Sequence, residues 1–583
     1  MPADERPTHA SVEAKPPSGV AHYIPILQWL PKYQGSFLTG DVIGAVTVWA
    51  LLVPEAMAYA AVAGVPVQYG LYAAALGGAA YMIFGGSRHL FFGPDAAPAA
   101  VSAGVVVAVV GAHASVQKYV SATAVLALLV GLVFIVLGLL RLGWISKFFA
   151  QPVLTGFVFG LGWFIAISQL PKLVGLHKPT GDSVKVLVET IAHIGDWQWA
   201  TVAIGVIALV ALFAMSRFVP KLPAAIIVVI LGILAVKVFN LHTQHGVKIV
   251  GTVPGGFHFV SWSVSWHDIY SLIPGAFALM LVAFSQSVAL AKTFAAKYRE
   301  PLDVNQEMFG YGAGNLASGG LQGFAGSGSL SKSAVSQEAG AKSPLTLGFT
   351  SILVIMTILF LTGLFKNLPE AALAAIIIQA VSGSMMPGKL VRLWRANRGE
   401  FVLAALTAAG VILINILPGI AIGVLASFFL LISRLDHPRT ALMGRSPDRH
   451  YYVSLNGDPD VKAVPGTLIY AFRAPLLFTN YEDFSRDLLS RIDKADPQPR
   501  TVVLDCDAIA ETDTTGSGAL SQLHSTLAAA DIRLLLARVN KGVMDYLKRD
   551  GVLSELGPDA VFPTVREAVD AGDPPTAPKQ PAS

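Results

Sequence analysis

The stretch from Asn315 to Pro344, NLASGGLQGFAGSGSLSKSAVSQEAGAKSP, constrains this chain more than any other. It lies between two apolar runs long enough to cross a bilayer, yet Gly319, Gly320, Gly323, Gly326 and Gly328 break any continuous helix. A helix-compatible run begins at about Ser331 and ends before Pro344. About a dozen residues at ~1.5 Å each reach only halfway through a ~30 Å hydrocarbon core. Backbone that leaves a helix at membrane depth must be buried in protein or line a cavity. A helix starting there presents unpaired N–H groups and a partial positive charge. That is a seat for an anion.

Composition agrees with a membrane setting. The chain is 54% hydrophobic and only 13% charged, with mean hydropathy +0.60, whereas a soluble domain carries about 25% charge. A polytopic membrane protein with a soluble attachment follows. The net charge of +4 is small, and no basic stripe points to nucleic acid. The one cysteine, Cys506, excludes an internal disulfide and reads as a small buried strand residue. Residues 1–38 are Pro-rich and polar without a signal-peptide pattern, so the N-terminus is expected to stay cytoplasmic.

Apolar runs give about fourteen spans: 39–63, 69–84, 93–110, 119–140, 149–168, 198–217, 222–240, 269–296, 307–320, 329–341, 343–362, 370–386, 400–417 and 418–435. Several are short, as tilted or broken helices are. With the N-terminus inside, the inner loops hold Arg88, Arg141, Lys147, Arg217, Lys221, Lys292, Lys297, Arg299, Lys342, Lys389, Arg392, Arg395, Arg398, Arg434 and Arg439. The outer loops hold few, such as Lys248 and Lys366. This is the positive-inside pattern for an even count, with both termini cytoplasmic in the cell inner membrane.

The third span resembles the tenth. GGSRHLFFGPDAAPAAVSAG carries Gly85, Gly86 and Gly93, then Pro94, then a short apolar run. Pro94 suits the first position of a helix, because its missing N–H needs no partner there. Residues 88–93 thus read as an extended lead-in and 94–110 as a second half-helix. Matching interruptions in two sets of seven spans, about 39–240 and 269–435, point to a transporter site built on an inverted repeat.

From about Val464 short β-rich runs (TLIYAFRA, RTVVLDC, IRLLLARV) alternate with helical patterns. The reading is a small α/β domain over 464–572, joined to the membrane region 39–435 by a linker at 436–463 and followed by a Pro/Ala-rich tail at 573–583, expected to be disordered.

Four strings in order now carry a resemblance: VPEAMAYAAVAGVPVQYGLYAA, GSRHLFFGPDAAPA, the run VALAKTFAAKYREPLDVNQEMFGYGAGNLASGGLQGFAGSGSLSKSAVSQEAGAKSPL, and TDTTGSGAL. Over about 20–570 the chain resembles the sulfate permease (SulP) family of anion transporters, with a C-terminal domain similar to STAS domains, relatives of anti-sigma-factor antagonists. The resemblance implies a 7+7 inverted-repeat helical fold in which a core moves against a gate. It also implies a site for a small inorganic anion between the third and tenth spans, a homodimer, and a STAS domain able to meet a cytoplasmic partner. It implies no cofactor.

The residues expected to hold the anion are Ser329, Leu330, Ser331 and Lys332 at the start of the tenth span, Phe92, Asp95 and Ala96 at the start of the third, and Gln286 in the eighth. Ser329, Ser331 and Ser333 either offer hydroxyls to the anion or let helices approach closely. Ser331 and the backbone N–H groups of 330–332 are favoured as direct ligands. Lys332 costs ~2.5–3.5 kcal/mol to insert, so it needs a partner or a wet cavity, or else snorkels to an interface. Asp95 departs from the family pattern. It is either a helix cap, or a group that takes a proton or else pairs with Lys332. Gln286 also departs: relatives often carry a carboxylate there, and an amide neither titrates nor anchors Na⁺ alone. Coupling therefore falls to Asp95 or Glu55, the latter otherwise a hydrogen bond between spans.

Thr514 and Thr515 open a helix after a strand, where relatives carry a phosphorylated Ser; a plain Asp513/Thr cap is the alternative. The reading is a proton-linked secondary transporter, sulfate foremost, with bicarbonate or a dicarboxylate, or an uncoupled channel or exchanger, as alternatives. A nucleobase-type symporter and a membrane-anchored signalling protein fit less well. Enzyme readings fail: there is no metal-spaced His/Cys set, no Gly-x-Ser-x-Gly elbow and no P-loop.

Overall fold

The computed structural model describes residues 23–144, 150–177, 182–219, 222–436, 438–446, 451–456 and 460–572. The expected inner-loop charges Lys147 and Lys221, residues 1–22 of the N-terminal segment and the tail 573–583 lie outside these. The chain divides at Ala426/Ser427 into two compact units.

The first unit is helical. Its first seven spans are α1 (Leu38–Ala63), α2 (Gln68–Phe84), α3 (Ala96–Val110), α4 (Val116–Leu139), α5 (Gln151–Leu173), α6 (Trp199–Phe218) and α7 (Ala224–Val238). The second seven are α8 (Trp266–Tyr298), α9 (Val304–Gly320), α10 (Leu330–Glu338), α11 (Leu345–Met356), α12 (Glu370–Ser382), α13 (Arg398–Leu413) and α14 (Ile416–Asp436), the last of which continues past the division into the second unit. Among the described residues eight helical stretches are long and apolar enough to cross a membrane by themselves. The remaining spans are short, and α3 and α10 occupy the same place in the two sets of seven.

Packing sorts the spans into two groups. Helices α1–α4 pack with α8–α11, and α5–α7 with α12–α14. Small residues set the distances. A Cβ on Gly70 of α2 would come within 1.9 Å of the Ala56 carbonyl oxygen of α1, and one on Gly156 of α5 within 2.0 Å of the Ala404 oxygen of α13. Without a hydrophobic force between helices in lipid, such backbone approach supplies the packing.

One boundary differs from expectation. Pro94 is not the first helical residue: Asp95 holds the cap position in extended conformation (φ −144°, ψ 159°), and α3 starts at Ala96. Helix α10 stops at Glu338, well short of Pro344, because Gly340 turns the chain at φ +97°, the left-handed residue that commonly ends helices.

The second unit is a six-stranded sheet in the order β4-β3-β5-β6-β7-β8. Its strands are β3 (Thr440–Arg445), β4 (Tyr452–Ser454), β5 (Thr467–Phe472), β6 (Thr501–Asp505), β7 (Arg533–Ala537) and β8 (Val561–Phe562). Strands β5 to β8 run parallel; β3 is antiparallel to β4 and β5. Residues 436–463 are therefore more than a linker, since two strands lie within them. Their short, half-buried runs read weakly beside the buried runs of β5 to β7. Helices α15 (Tyr481–Asp493), α16 (Thr514–Ala529) and α17 (Lys541–Arg549) cover one face through Phe484, Leu488, Leu520, Leu523 and Leu547. Helix α18 (Val565–Gly572) covers the other through Val565, Ala568 and Val569.

Candidate functional site

The two half-helices begin side by side because their lead-ins pair as strands. β1 (Phe91–Gly93) is antiparallel to β2 (Ser327–Ser329), with Phe91 opposite Ser329 and Gly93 opposite Ser327. Extended backbone inside a membrane protein needs donors and acceptors, and the pair supplies them. Neighbouring side chains satisfy what remains. The Phe91 N–H donates to Ser333 Oγ at 2.7 Å, and the Gly328 N–H to Ser287 Oγ of α8 at 2.8 Å. The Gly326 N–H donates to Asn315 Oδ1 of α9 at 2.9 Å. A Cβ on Gly326 would lie 2.7 Å from the Gly93 oxygen, so only glycine lets the lead-ins approach this closely.

Three charged groups meet where the helices start. Lys332, in the first turn of α10, is fully buried. Its Nζ lies 2.7 Å from Glu55 Oε2 of α1 and 3.9 Å from Asp95 Oδ1, and it donates to Ser329 Oγ at 3.3 Å. The Tyr59 ring centroid is 5.3 Å from the ammonium. Pro54 lies inside α1 beside Glu55, where it deletes one helix hydrogen bond. Ser329 Oγ also donates to Asp95 Oδ1 at 3.4 Å and is 3.3 Å from Ser331 Oγ.

The expected residues divide into those that meet and those that do not. Ser329, Ser331, Lys332, Asp95 and Glu55 come together. Snorkelling of Lys332 is overturned by its complete burial. The pairing expected with Asp95 goes chiefly to Glu55. Asp95 sits at the cap position but makes no side-chain capping bond, and its side chain is 22% exposed. Ala96 is half-buried at the start of α3, while Leu330 and Ser331 are exposed. Gln286 is half-buried on α8, one residue before Ser287. Phe92 does not face solute. It is buried and stacks on Tyr81 with centroids 5.6 Å apart, and Tyr81 stacks on Tyr311 at 5.7 Å. Phe92 is thus a wedge that holds the lead-in against α2 and α9.

Two supporting carboxylates escaped the sequence reading. Glu307 of α9 is fully buried, accepts from Tyr81 Oη at 2.7 Å and from the Ser87 N–H, and so anchors the turn before β1. Asp41 of α1 accepts from the N–H groups of Lys342 (2.7 Å) and Ser343 (3.0 Å), from Ser343 Oγ (2.6 Å) and from Tyr33 Oη (3.1 Å). It fixes the segment between α10 and α11. The signal for each was an acidic residue in the first turn of an apolar helix, which also describes an ordinary dipole-favoured carboxylate.

In the sheet unit Asp513 caps α16, accepting from the Gly516 N–H at 2.8 Å and from the Phe478 N–H at 2.9 Å. Thr514 is exposed and Thr515 half-buried. Cys506 is buried, and burial pushes its thiol well above the ordinary range. Among the described residues no group of three His, Cys, Asp or Glu side chains is arranged to hold a metal.

Residues 38–407 match the family described as the sulfate permease family, and residues 458–568 match the STAS domain. A probable sulfate transporter of Mycobacterium tuberculosis is 32% identical over 93% of this chain and 96% of its own length. The chloroplastic sulfate transporter 4.1 of Arabidopsis thaliana is 31% identical over 94% of this chain and 82% of its own. The murine solute carrier 26 member A9 anion transporter superposes with a TM-score of 0.88 over 98% of this chain and 96% of that one, at 22% identity. The transmembrane domain of a cyanobacterial bicarbonate transporter, BicA, superposes with a TM-score of 0.60 over 68% of this chain and 98% of that one, at 20% identity. At those identities the likeness to the solved structures is one of fold, and it carries the 7+7 arrangement. A helical membrane unit with two interrupted spans, a STAS domain behind it, and relatives matched along nearly their whole length make this chain a member of the sulfate permease family, which are membrane anion transporters and not enzymes.

Proposed function

We propose that the chain is a proton-coupled sulfate transporter of the cytoplasmic membrane, with both termini cytoplasmic, working as a homodimer, and that the anion binds between the starts of α3 and α10. The observation that carries this is the buried Lys332 held by two carboxylates at a half-helix N-terminus. With Glu55, Asp95 and Lys332 all ionised, the seat has one negative charge in excess. A divalent anion beside it is repelled unless a proton arrives with it. Asp95 is the group to take that proton: it lies farther from the ammonium, and its side chain is the more exposed of the two. A protonated Asp95 then donates to the anion, beside Ser331 Oγ and the free N–H groups at the start of α10. Gln286 adds an amide and offers no site for Na⁺ alone.

The relatives that carry sulfate in their names favour sulfate as the substrate. Proteoliposome uptake of labelled sulfate, bicarbonate and fumarate, with pH and Na⁺ gradients imposed separately, tests both parts. Sulfate uptake driven by acid outside is expected for the wild type and lost in Asp95→Asn. An Asp95→Asn transporter that acid still drives as strongly removes Asp95 as the coupling group. Thr514, exposed beside the Asp513 cap, and Thr515, half-buried next to it, are the hydroxyls proposed for modification of the STAS domain, and phosphopeptide mass spectrometry checks both.

A further inference from the structure

A cavity of about 340 Å³ lies where α1, α5 and α12 converge, away from the paired lead-ins. Gln169 and Lys172 of α5, Glu370 of α12, Gln68 at the start of α2 and Thr252 in the connection before α8 line it. Its volume is at the small end of ligand pockets, which run ~300–1,000 Å³. Ala61 of α1 also lines it. Six residues separate Ala61 from Glu55, about 9 Å along a helix. The cavity therefore lies one and a half turns of α1 from the seat, on the boundary between the two groups of spans.

One polar group buried in its wall lacks a partner among the described residues. Gln169 is 3% exposed, and among the described residues its Oε1 has no hydrogen-bond partner. Its orientation is determined locally. Ser168 Oγ spends its only proton on the Ile165 carbonyl at 2.7 Å, so it can only accept from the Gln169 Nε2 at 2.9 Å. Turning the amide over would set two acceptors against each other, so the unpaired oxygen stays buried in the cavity wall. A buried acceptor left unpaired costs ~1–3 kcal/mol in general, and native proteins rarely leave one without water or ligand.

We propose that this cavity is a second anion site on the outer side of the seat, and that it takes a hydrated oxyanion in transit. This rests on the anion-transport reading and on the orientation with both termini inside. Lys172 supplies the charge that the anion's oxygens meet. Glu370 lines the same cavity as Lys172, so the site has no net charge and holds its occupant weakly. Weak holding is what a transit site needs, since an ion must leave as readily as it enters.

The test uses the full chain with Cys506→Ala, which removes the one native thiol, and adds Thr252→Cys as a reporter on the cavity wall. The probe is an anionic, membrane-impermeant methanethiosulfonate, applied from outside or inside, with sulfate, chloride or bicarbonate as competitor. Labelling from outside that sulfate slows, and that sulfate no longer slows once Lys172→Gln is added, is the expected result. In uptake assays Lys172→Gln should raise the external KM for sulfate about tenfold, the equivalent of ~1.4 kcal/mol, with kcat kept, and Lys172→Arg should restore it. Labelling only from inside, labelling indifferent to every anion, or an unchanged external KM in Lys172→Gln overturns the proposal. Protection by bicarbonate or chloride in a transporter that carries no sulfate leaves the outer site standing and removes sulfate as the substrate.

Discussion

Removing Glu55 is the sharpest probe of the seat, because Lys332 is left with no solvent to turn to. At an effective dielectric near ~20, a unit-charge contact at 2.7 Å is worth about 6 kcal/mol before desolvation and one at 3.9 Å about 4 kcal/mol. Breaking a buried pair by deleting one partner costs ~3–5 kcal/mol in measured cases. Glu55→Gln should fall at the low end, ~3 kcal/mol, because Asp95 and Ser329 Oγ remain within reach of the ammonium. Asp95→Asn should cost less, ~1 kcal/mol, since it removes the longer and more exposed contact. Removing both charges of the close pair, Glu55→Gln with Lys332→Met, takes away the desolvation penalty together with the attraction. That double variant should regain most of the stability lost by Glu55→Gln and carry no anion. Thermal unfolding of the purified protein in detergent, read by loss of monodisperse protein, gives the order. A double variant less stable than Glu55→Gln refutes the ion pair as the reason Lys332 tolerates burial. So does an Asp95→Asn variant as unstable as Glu55→Gln.

Other outcomes follow from the packing and the charges. Asp41→Asn leaves an amide among five donors, so unfolding in detergent should come earlier by ~1–3 kcal/mol with the KM for the anion unchanged. Gly70→Ala must push α1 from α2 by more than an ångström at the Ala56 carbonyl, and little folded protein should be recovered. Gly104→Ala, whose nearest foreign atom is Asn415 Oδ1 at 3.7 Å, should express normally. In the sheet unit, burial alone would raise the Asp487 carboxyl, yet donors on Arg491, Tyr470 and Thr440 hold it below the ordinary carboxylate range. A depressed carboxyl stabilises the fold above its unfolded value and is lost as pH falls through the folded one. Unfolding of that unit should therefore become easier below about pH 4, and Asp487→Asn should flatten the dependence.

The sequence by itself determined the elements. Fourteen candidate spans, the glycines of 319–328 and the Gly-Pro at 93–94 specify two half-length spans in matching places, because hydrocarbon permits few other readings of such segments. The buried strands of the STAS domain were legible for the same reason: continuous apolar runs between helical patterns have few alternatives. Partnerships were not legible. Nothing local distinguishes Glu55, 277 residues before Lys332, from Asp95 as the partner of that lysine. Only the crossing of α1 past the start of α10 sets one at 2.7 Å and the other at 3.9 Å. The same holds for Phe92, whose aromatic ring reads equally as a ligand wall or as a wedge until Tyr81 and Tyr311 stack around it. Strands β3 and β4 exist only because β5 offers β3 an open edge and β3 in turn offers one to β4. Local pattern reports how a segment satisfies its own backbone and solvent. Which charge meets which is decided by long-range packing, where a difference of about an ångström in low dielectric is worth more than any propensity.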